Sequence, residues 1–271
     1  MKQALYDFYN SLFEGIVANV EELKHECYKL RYQVYCDEHE WLRTSNPYMA
    51  EKLECDEYDQ HSVHVLLRLR QTGEYVGTAR LILHPPEEKM GVFPIHALCR
   101  ENNIVLPEFF PLPRIAEVSR FCIVKDFRRR ALDTIATAFY SPEELEADRQ
   151  RILPSMSLGL LAMLTMLIRC NGIEMVCAEM EPFLMQLLGK LGIHWISVGP
   201  LIEFHGKRQV SYLVIEDYLR QCRAERPDVW DVVTDKGRYL DNQRKNGLVC
   251  APNGSGFELS DEEAFAAACK I

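Results

Sequence analysis

Six charged residues sit where the pattern of apolar residues predicts packed structure. Arg31 adjoins Leu30 on an apolar helical stripe. Asp56 and Asp59 stand three apart just ahead of a strand. Arg80 interrupts the apolar run 75–83, and Glu117 and Arg120 interrupt the run 114–124. A charge removed from water is tolerated only when it is paired and hydrogen-bonded. Three arginines and three carboxylates sum to zero, so the six can form one neutral network. Such a network lining a cleft suits a polar, amine-bearing substrate. On charge alone, the same residues can also be edge charges or a purely structural ion-pair cluster. Strict alternation along a strand puts Glu117 and Arg120 on opposite faces. A β-bulge near Val118 or Ser119 brings them together.

Other groups carry weaker signals. The densest basic run is Lys125-Asp126-Phe127-Arg128-Arg129-Arg130. Its arginines suit a phosphate or an acidic protein partner, although a solvated basic turn has the same composition. The apolar stretch 158–168, with Met156, Met163 and Met166, can wall a flexible apolar ligand or pack a core. His61-x-x-His64 near Cys55 lacks zinc spacing, so no metal site is expected. His205 before Gly206 reads as a turn residue.

The elements that must position these residues follow from periodicity and turn chemistry. Residues 1–18 read as a short packed helix. A second helix follows an Asn19-x-x-Glu22 capping box, with Leu23, Cys27, Leu30 and Val34 at helical spacing. Residues 36–62 read as a long polar loop. A hairpin joins 63–70 to 75–83 through Gln71-Thr72-Gly73-Glu74, and 114–124 is a further strand. Residues 126–156 read as a surface excursion, with a cap at Ser141-Pro142. A buried helix 158–170, a strand 173–180, a helix from Pro182 to Gly192 and strands 195–198 and 209–215 complete the order. Mixed hairpin and crossover connections of this kind predict a three-layer α/β/α sandwich with a mixed sheet.

Composition narrows the function classes. The chain has 271 residues, 48% hydrophobic and 26% charged, with formal charge −9. That is an ordinary globular balance, and the net acidity argues against a nucleic-acid partner. The ten cysteines are scattered with no CxxC pair, as expected of buried thiols in a reducing compartment. Asp7 and Glu14 among the first apolar residues do not fit a secretory leader. The run 158–168 is too short to span a bilayer. A cytoplasmic protein without a transmembrane segment is expected.

The segments Arg31-x-x-Val34-Tyr35, Trp41, Asp56-x-x-Asp59, Gly77-Thr78-Ala79-Arg80-Leu81, Phe93 and Glu117-Val118-Ser119-Arg120-Phe121 resemble the signature of the acyl-homoserine-lactone (autoinducer) synthases in order and spacing. The resemblance runs from about residue 20 to 216. Residues 30–36, the Phe127-Arg128-Arg129-Arg130 run and Glu203-Phe204-His205-Gly206 are similar to the acyltransferases associated with PEP-CTERM/exosortase systems, relatives of those synthases and of the N-acyl amino acid synthases. The resemblance implies a GNAT-like acyltransferase domain over 1–218 with a mostly antiparallel sheet. Residues 219–271 would form a loop-rich C-terminal extension with short helices.

It also implies a role for each matched position. Arg31, Tyr35, Trp41, Asp56 and Asp59 would bind the acceptor. Glu117 would help deprotonate the amine, with Arg80 and Arg120 holding the network. Phe93, Ser119 and Phe121 would border the acyl pocket. Coenzyme-A-dependent acetyltransferases of this fold carry a glycine-rich loop after the central strand, whose amides cradle a pyrophosphate. Residues 125–130 contain no glycine. Arg128, Arg129 and Arg130 would therefore meet the phosphopantetheine of an acyl carrier protein, whose thioester is the co-substrate in preference to acyl-CoA, with no bound cofactor. The expected reaction moves a fatty acyl group to the amine of an amino acid or related metabolite. Lactone synthesis from S-adenosylmethionine and a catalytically silent acyl- or partner-binding module are the alternatives.

Overall fold

A computed structural model describes residues 4–39, 50–84, 93–106, 114–125 and 142–240. Trp41, Arg128, Arg129 and Arg130 lie outside them, as do the first part of the expected excursion and everything after 240. Among the described residues the strands are β1 (Phe13–Val17), β2 (Ser62–Leu69), β3 (Tyr75–Leu83), β4 (Ile115–Ile123), β5 (Met175–Met180), β6 (Ile196–Ser197), β7 (Ile202–Glu203) and β8 (Lys207–Val214). Their spatial order is β1-β2-β3-β4-β5-β8-β6, with β7 also on β8. Every pairing is antiparallel except that of β4 with β5, which is parallel. The helices are α1 (Leu5–Leu12), α2 (Glu21–Tyr32), α3 (Pro94–Glu101), α4 (Pro142–Cys170), α5 (Pro182–Lys190), α6 (Ile215–Glu225) and α7 (Pro227–Val233). The result is the expected α/β fold with a mixed, mostly antiparallel sheet.

Two cores hold the layers. The larger gathers Met156, Leu160, Met163 and Leu167 of α4 with Leu67, Leu81 and Val176 of the sheet. The smaller joins Phe93, Ile95 and Cys99 at α3 to Ile82, Ile115 and Cys177. The helix α4 reaches the sheet closely because glycines stand at the contact. A Cβ on Gly15 would lie 2.2 Å from Met163 Sδ, and one on Gly159 2.6 Å from Leu67 Cδ1.

Several local expectations are corrected. Residues 13–17 are not helical but form β1 against β2; the β-branched pair Ile16-Val17 favours a strand, and Gly15 disfavours a helix. The Asn19–Glu22 box is absent. Val20 occupies the cap position of α2 with no side-chain cap bond. The start of the expected loop 36–62 belongs to a π-helical turn, Gln33–Glu38, that continues from α2, and its end forms a 3-10 turn, Glu57–His61. Residues 142–170 form one continuous helix, not a charged excursion followed by a separate buried helix, and Pro154 lies within it. Residues 219–240 pack inward: Leu219, Cys222, Val229, Val232, Val233 and Tyr239 all join the larger core. The boundary drawn after Tyr218 falls inside α6.

One departure from regular pairing matters for the site. β4 pairs with β5 only through Ile115–Met175, Ala116–Val176 and Glu117–Cys177. Beyond that point β4 continues beside β3 to Ile123, and β5 beside β8 to Met180. Each strand keeps its outer neighbour and loses its inner one, so a fork opens in the middle of the sheet.

Candidate active site

The last turn of α2 delivers Arg31, fully buried at 0% exposure, toward the 3-10 turn that precedes β2. That turn is fixed by its own carboxylates. Asp56 Oδ1 accepts the Tyr58 N–H at 3.0 Å, and Asp59 Oδ2 accepts the Asp56 N–H at 2.7 Å. This reciprocal cap orients both acids. Arg31 Nη1 and Nη2 donate to the two Asp59 oxygens at 2.7 and 3.1 Å, and its Nε donates to Glu54. From β3, Arg80 Nη1 donates to Asp56 Oδ1 at 2.6 Å and Asp59 Oδ1 at 2.8 Å, while its Nε donates to Ser119 Oγ at 3.0 Å. Its Nη2 is buried without a partner among the described residues. Arg120 Nη2 donates to Glu54 Oε1 and Asp56 Oδ2, both at 2.9 Å.

Arg120 reaches that side of the sheet through a bulge. The register shifts between Thr78 and Arg80, so that one β3 residue opposes Arg120 and Phe121 together. Arg120 itself has φ of 51°, in the left-handed region. Its guanidinium lies 5.7 Å from the Tyr35 ring centre, a cation–π contact.

The network is therefore neutral, with three arginines and three carboxylates, but its third acid is Glu54 rather than Glu117. Glu54 is 3% exposed. Burial alone would raise its carboxyl, but Arg31 and Arg120 outweigh that and hold it at about 2. Burial opposes ionisation of Asp59 in the same way, and Arg31 and Arg80 override it, holding Asp59 well below the usual carboxylate range. Beneath the network, His64 is buried with neither ring nitrogen hydrogen-bonded among the described residues. Burial and the adjacent Arg31 push its pKa down to about 3, so the ring is neutral.

Glu117 belongs to a different cluster. Its register partners are Ile82 on β3 and Cys177 on β5. Fully buried, it accepts the Ile95 N–H at 2.9 Å through Oε2, while Oε1 has no partner among the described residues. Burial first, and the nearby Glu179 second, push its carboxyl well above the ordinary range. The bulge lies at Arg120–Phe121 rather than at Val118 or Ser119; Glu117 ends at the fork and Arg120 in the ion-pair network. Of the residues expected at the acyl pocket, Phe93 joins the smaller core, Phe121 packs at the larger one, and Ser119 is engaged by Arg80. Sequence reasoning missed Glu54 and Glu179. Glu179 carries the same signal that identified Arg80 and Glu117, a charge inside an apolar strand.

Residues 30–138 match the family model described as the acetyltransferase (GNAT) domain. That match spans less than half of the chain. The chain resembles BjaI, a CoA-dependent acyl-homoserine lactone synthase solved with MTA, with 22% identity, a TM-score of 0.54, and coverage of 96% of this chain and 99% of that one. TofI, in a ternary complex with an inhibitor and MTA, is 19% identical with a TM-score of 0.53, covering 80% of this chain and 96% of that one. At these identities the likeness establishes a common fold. No curated protein matches the chain in sequence. None of the described helices is long and apolar enough to cross a membrane.

Proposed function

We propose that this chain transfers a fatty acyl group from a thioester to the amine of an amino acid or related metabolite. The carrying observation is the fork between β4 and β5, with Glu117 at its apex and the neutral arginine–carboxylate network beside it. A thioester is already activated, so the protein needs no nucleophile of its own. It must hold the amine against the carbonyl, take up a proton and stabilise the oxyanion. The fork is where a pantetheine arm can lie between strands. Arg80 Nη2 is a buried donor with no partner among the described residues, suited to a substrate carbonyl or carboxylate oxygen. Asp56, exposed more than Asp59 within the network, suits the acceptor's polar groups, beside Arg31 and Tyr35.

The donor in this reading is an acyl carrier protein. The Glu38 carboxylate accepts the Lys125 N–H at 3.0 Å, which places a negative charge at the start of the 125–130 segment. Arg128, Arg129 and Arg130 follow as the carrier-docking group.

BjaI has been solved with SAM and isopentyl-CoA, so S-adenosylmethionine and acyl-CoA are the second acceptor and donor to try. The test is incubation with acyl-carrier protein or acyl-CoA and pooled amines, followed by mass spectrometry. An acyl amide made from the carrier thioester is the expected product. Formation of a lactone from S-adenosylmethionine would favour autoinducer synthesis. The absence of any acyl transfer would leave a binding module.

A further inference from the structure

We propose that Glu117 and Glu179, one on each arm of the fork where β4 and β5 part, work as one carboxyl–carboxylate pair, with Glu179 taking the proton from the acceptor's incoming ammonium group. This rests on the acyl-transfer reading above and adds a second acid to it. Cys177 is the parallel-strand partner of Glu117, and Glu179 follows it by two residues. The period of a strand puts both glutamates on one face, one on each arm of the fork. Glu117 is fully buried, and Glu179 is partly exposed. Among the described residues, Glu117 Oε1 and Glu179 Oε2 are both buried with no hydrogen-bond partner. Two carboxylates buried on facing arms of the fork repel one another, and a proton on either one relieves the repulsion.

The surroundings decide where that proton resides. Burial and the Glu179 charge drive the Glu117 carboxyl well above the usual range. Burial also raises Glu179, but its own amide and then Arg120, Arg80 and Arg208 oppose the rise. Both carboxyls are raised, Glu117 the more strongly, so Glu117 takes the first proton of the pair and leaves Glu179 as its carboxylate. The other groups facing the pair are Cys99 on α3, Cys177 on β5 and Tyr58 in the 3-10 turn, and burial raises all three so that they stay neutral.

The acceptor's ammonium gives one proton to the Glu179 carboxylate. The freed amine attacks the thioester carbonyl carbon. As the C–S bond breaks, a second proton leaves nitrogen for the departing sulfur, and Glu179 returns its proton to water. One ammonium and one thioester thus give one amide, one thiol and one released proton.

Glu179→Gln keeps the shape and removes the charge. With the full-length chain and an acyl-carrier thioester, kcat at neutral pH should fall about a hundredfold. KM for the thioester should be unchanged, and the acid limb of the kcat/KM profile should disappear. A wild-type rate and pH profile in this variant overturns the pairing. An inactive wild-type protein would instead count against the acyl-transfer reading, so the pair is also read without turnover, by carbon-13 NMR titration of carboxyl-labelled glutamate. Two linked titrations, one above the ordinary range, are expected in the wild type, with Glu117 moving downward in Glu179→Gln. Two independent titrations in the ordinary range overturn the pair whatever the activity.

Discussion

Replacing Glu54 with glutamine tests whether the arginine–carboxylate network is an electrostatic unit. The change keeps the side chain's volume and leaves three buried or half-buried guanidinium groups facing two acids. Its size follows from the carboxyl itself, which is shifted from 4.5 to about 2. At 1.36 kcal/mol per pKa unit, that difference corresponds to about 3 kcal/mol of stability at neutral pH. Removing one member of a buried ion pair costs about 3–5 kcal/mol, a comparable figure.

The sign is fixed by the direction of the shift. The folded value is depressed, so the contribution is complete above 4.5 and is lost as pH falls through about 2. Linkage places about 2 of the 3 kcal/mol lost by roughly pH 3. Urea unfolding of wild type and Glu54→Gln at neutral pH and near pH 3 gives both numbers by linear extrapolation. The gap between the two proteins should narrow in acid, because the wild type is protonated toward the state the variant already mimics. A variant within about 0.5 kcal/mol of wild type at neutral pH, the usual scatter of a surface change, would refute the reasoning.

Two further outcomes follow from packing. Gly15→Ala places a methyl where Met163 Sδ lies, 2.2 Å from the ideal Cβ. It should cost about 1–3 kcal/mol by overpacking, and Met163→Ala should recover part of that in a double-mutant cycle read by thermal unfolding. His64, depressed to about 3, should show no ring titration by proton NMR between about pH 5 and 8, and a midpoint in the ordinary histidine range would mean that the ring is solvated. The unfolded chain binds this proton first, so His64 withdraws stability as pH falls below the ordinary histidine range toward 3.

The regular elements were legible because their periodicity is strong: the hairpin β2–β3, the strands β4 and β5 and the helix α5 lie where the apolar pattern puts them. Arg31, Asp56, Asp59, Arg80 and Arg120 meet because each is a charge embedded in such a pattern or spaced to cap a turn. Glu54 escaped notice for the opposite reason. It sits in a polar stretch with no period to interrupt, and only the tertiary approach of Arg31 and Arg120 buries it. Alternation and a bulge can be read from the strand's own pattern, but the tertiary partner of Glu117 cannot. The Ile95 amide, 22 residues away in sequence, takes its carboxylate instead. Residues 219–240 read weakly because α6 shows only a narrow apolar stripe, Ile215, Tyr218, Leu219 and Cys222, among charges.

The backbone at Arg120 has a consequence for how the protein responds to its surroundings. A residue with a Cβ held at φ of 51° gives up about 1–3 kcal/mol, and the contacts to Glu54 and Asp56 offset that strain. Glycine would relax the kink but bring no charge; arginine in ordinary extended geometry would send its charge to the far side of the sheet. Shape and ionisation are thus fastened together at one position. Acid strong enough to neutralise Glu54 also loosens the bend that aims the guanidinium, so the opening in the sheet and the charge beside it fail as a single event.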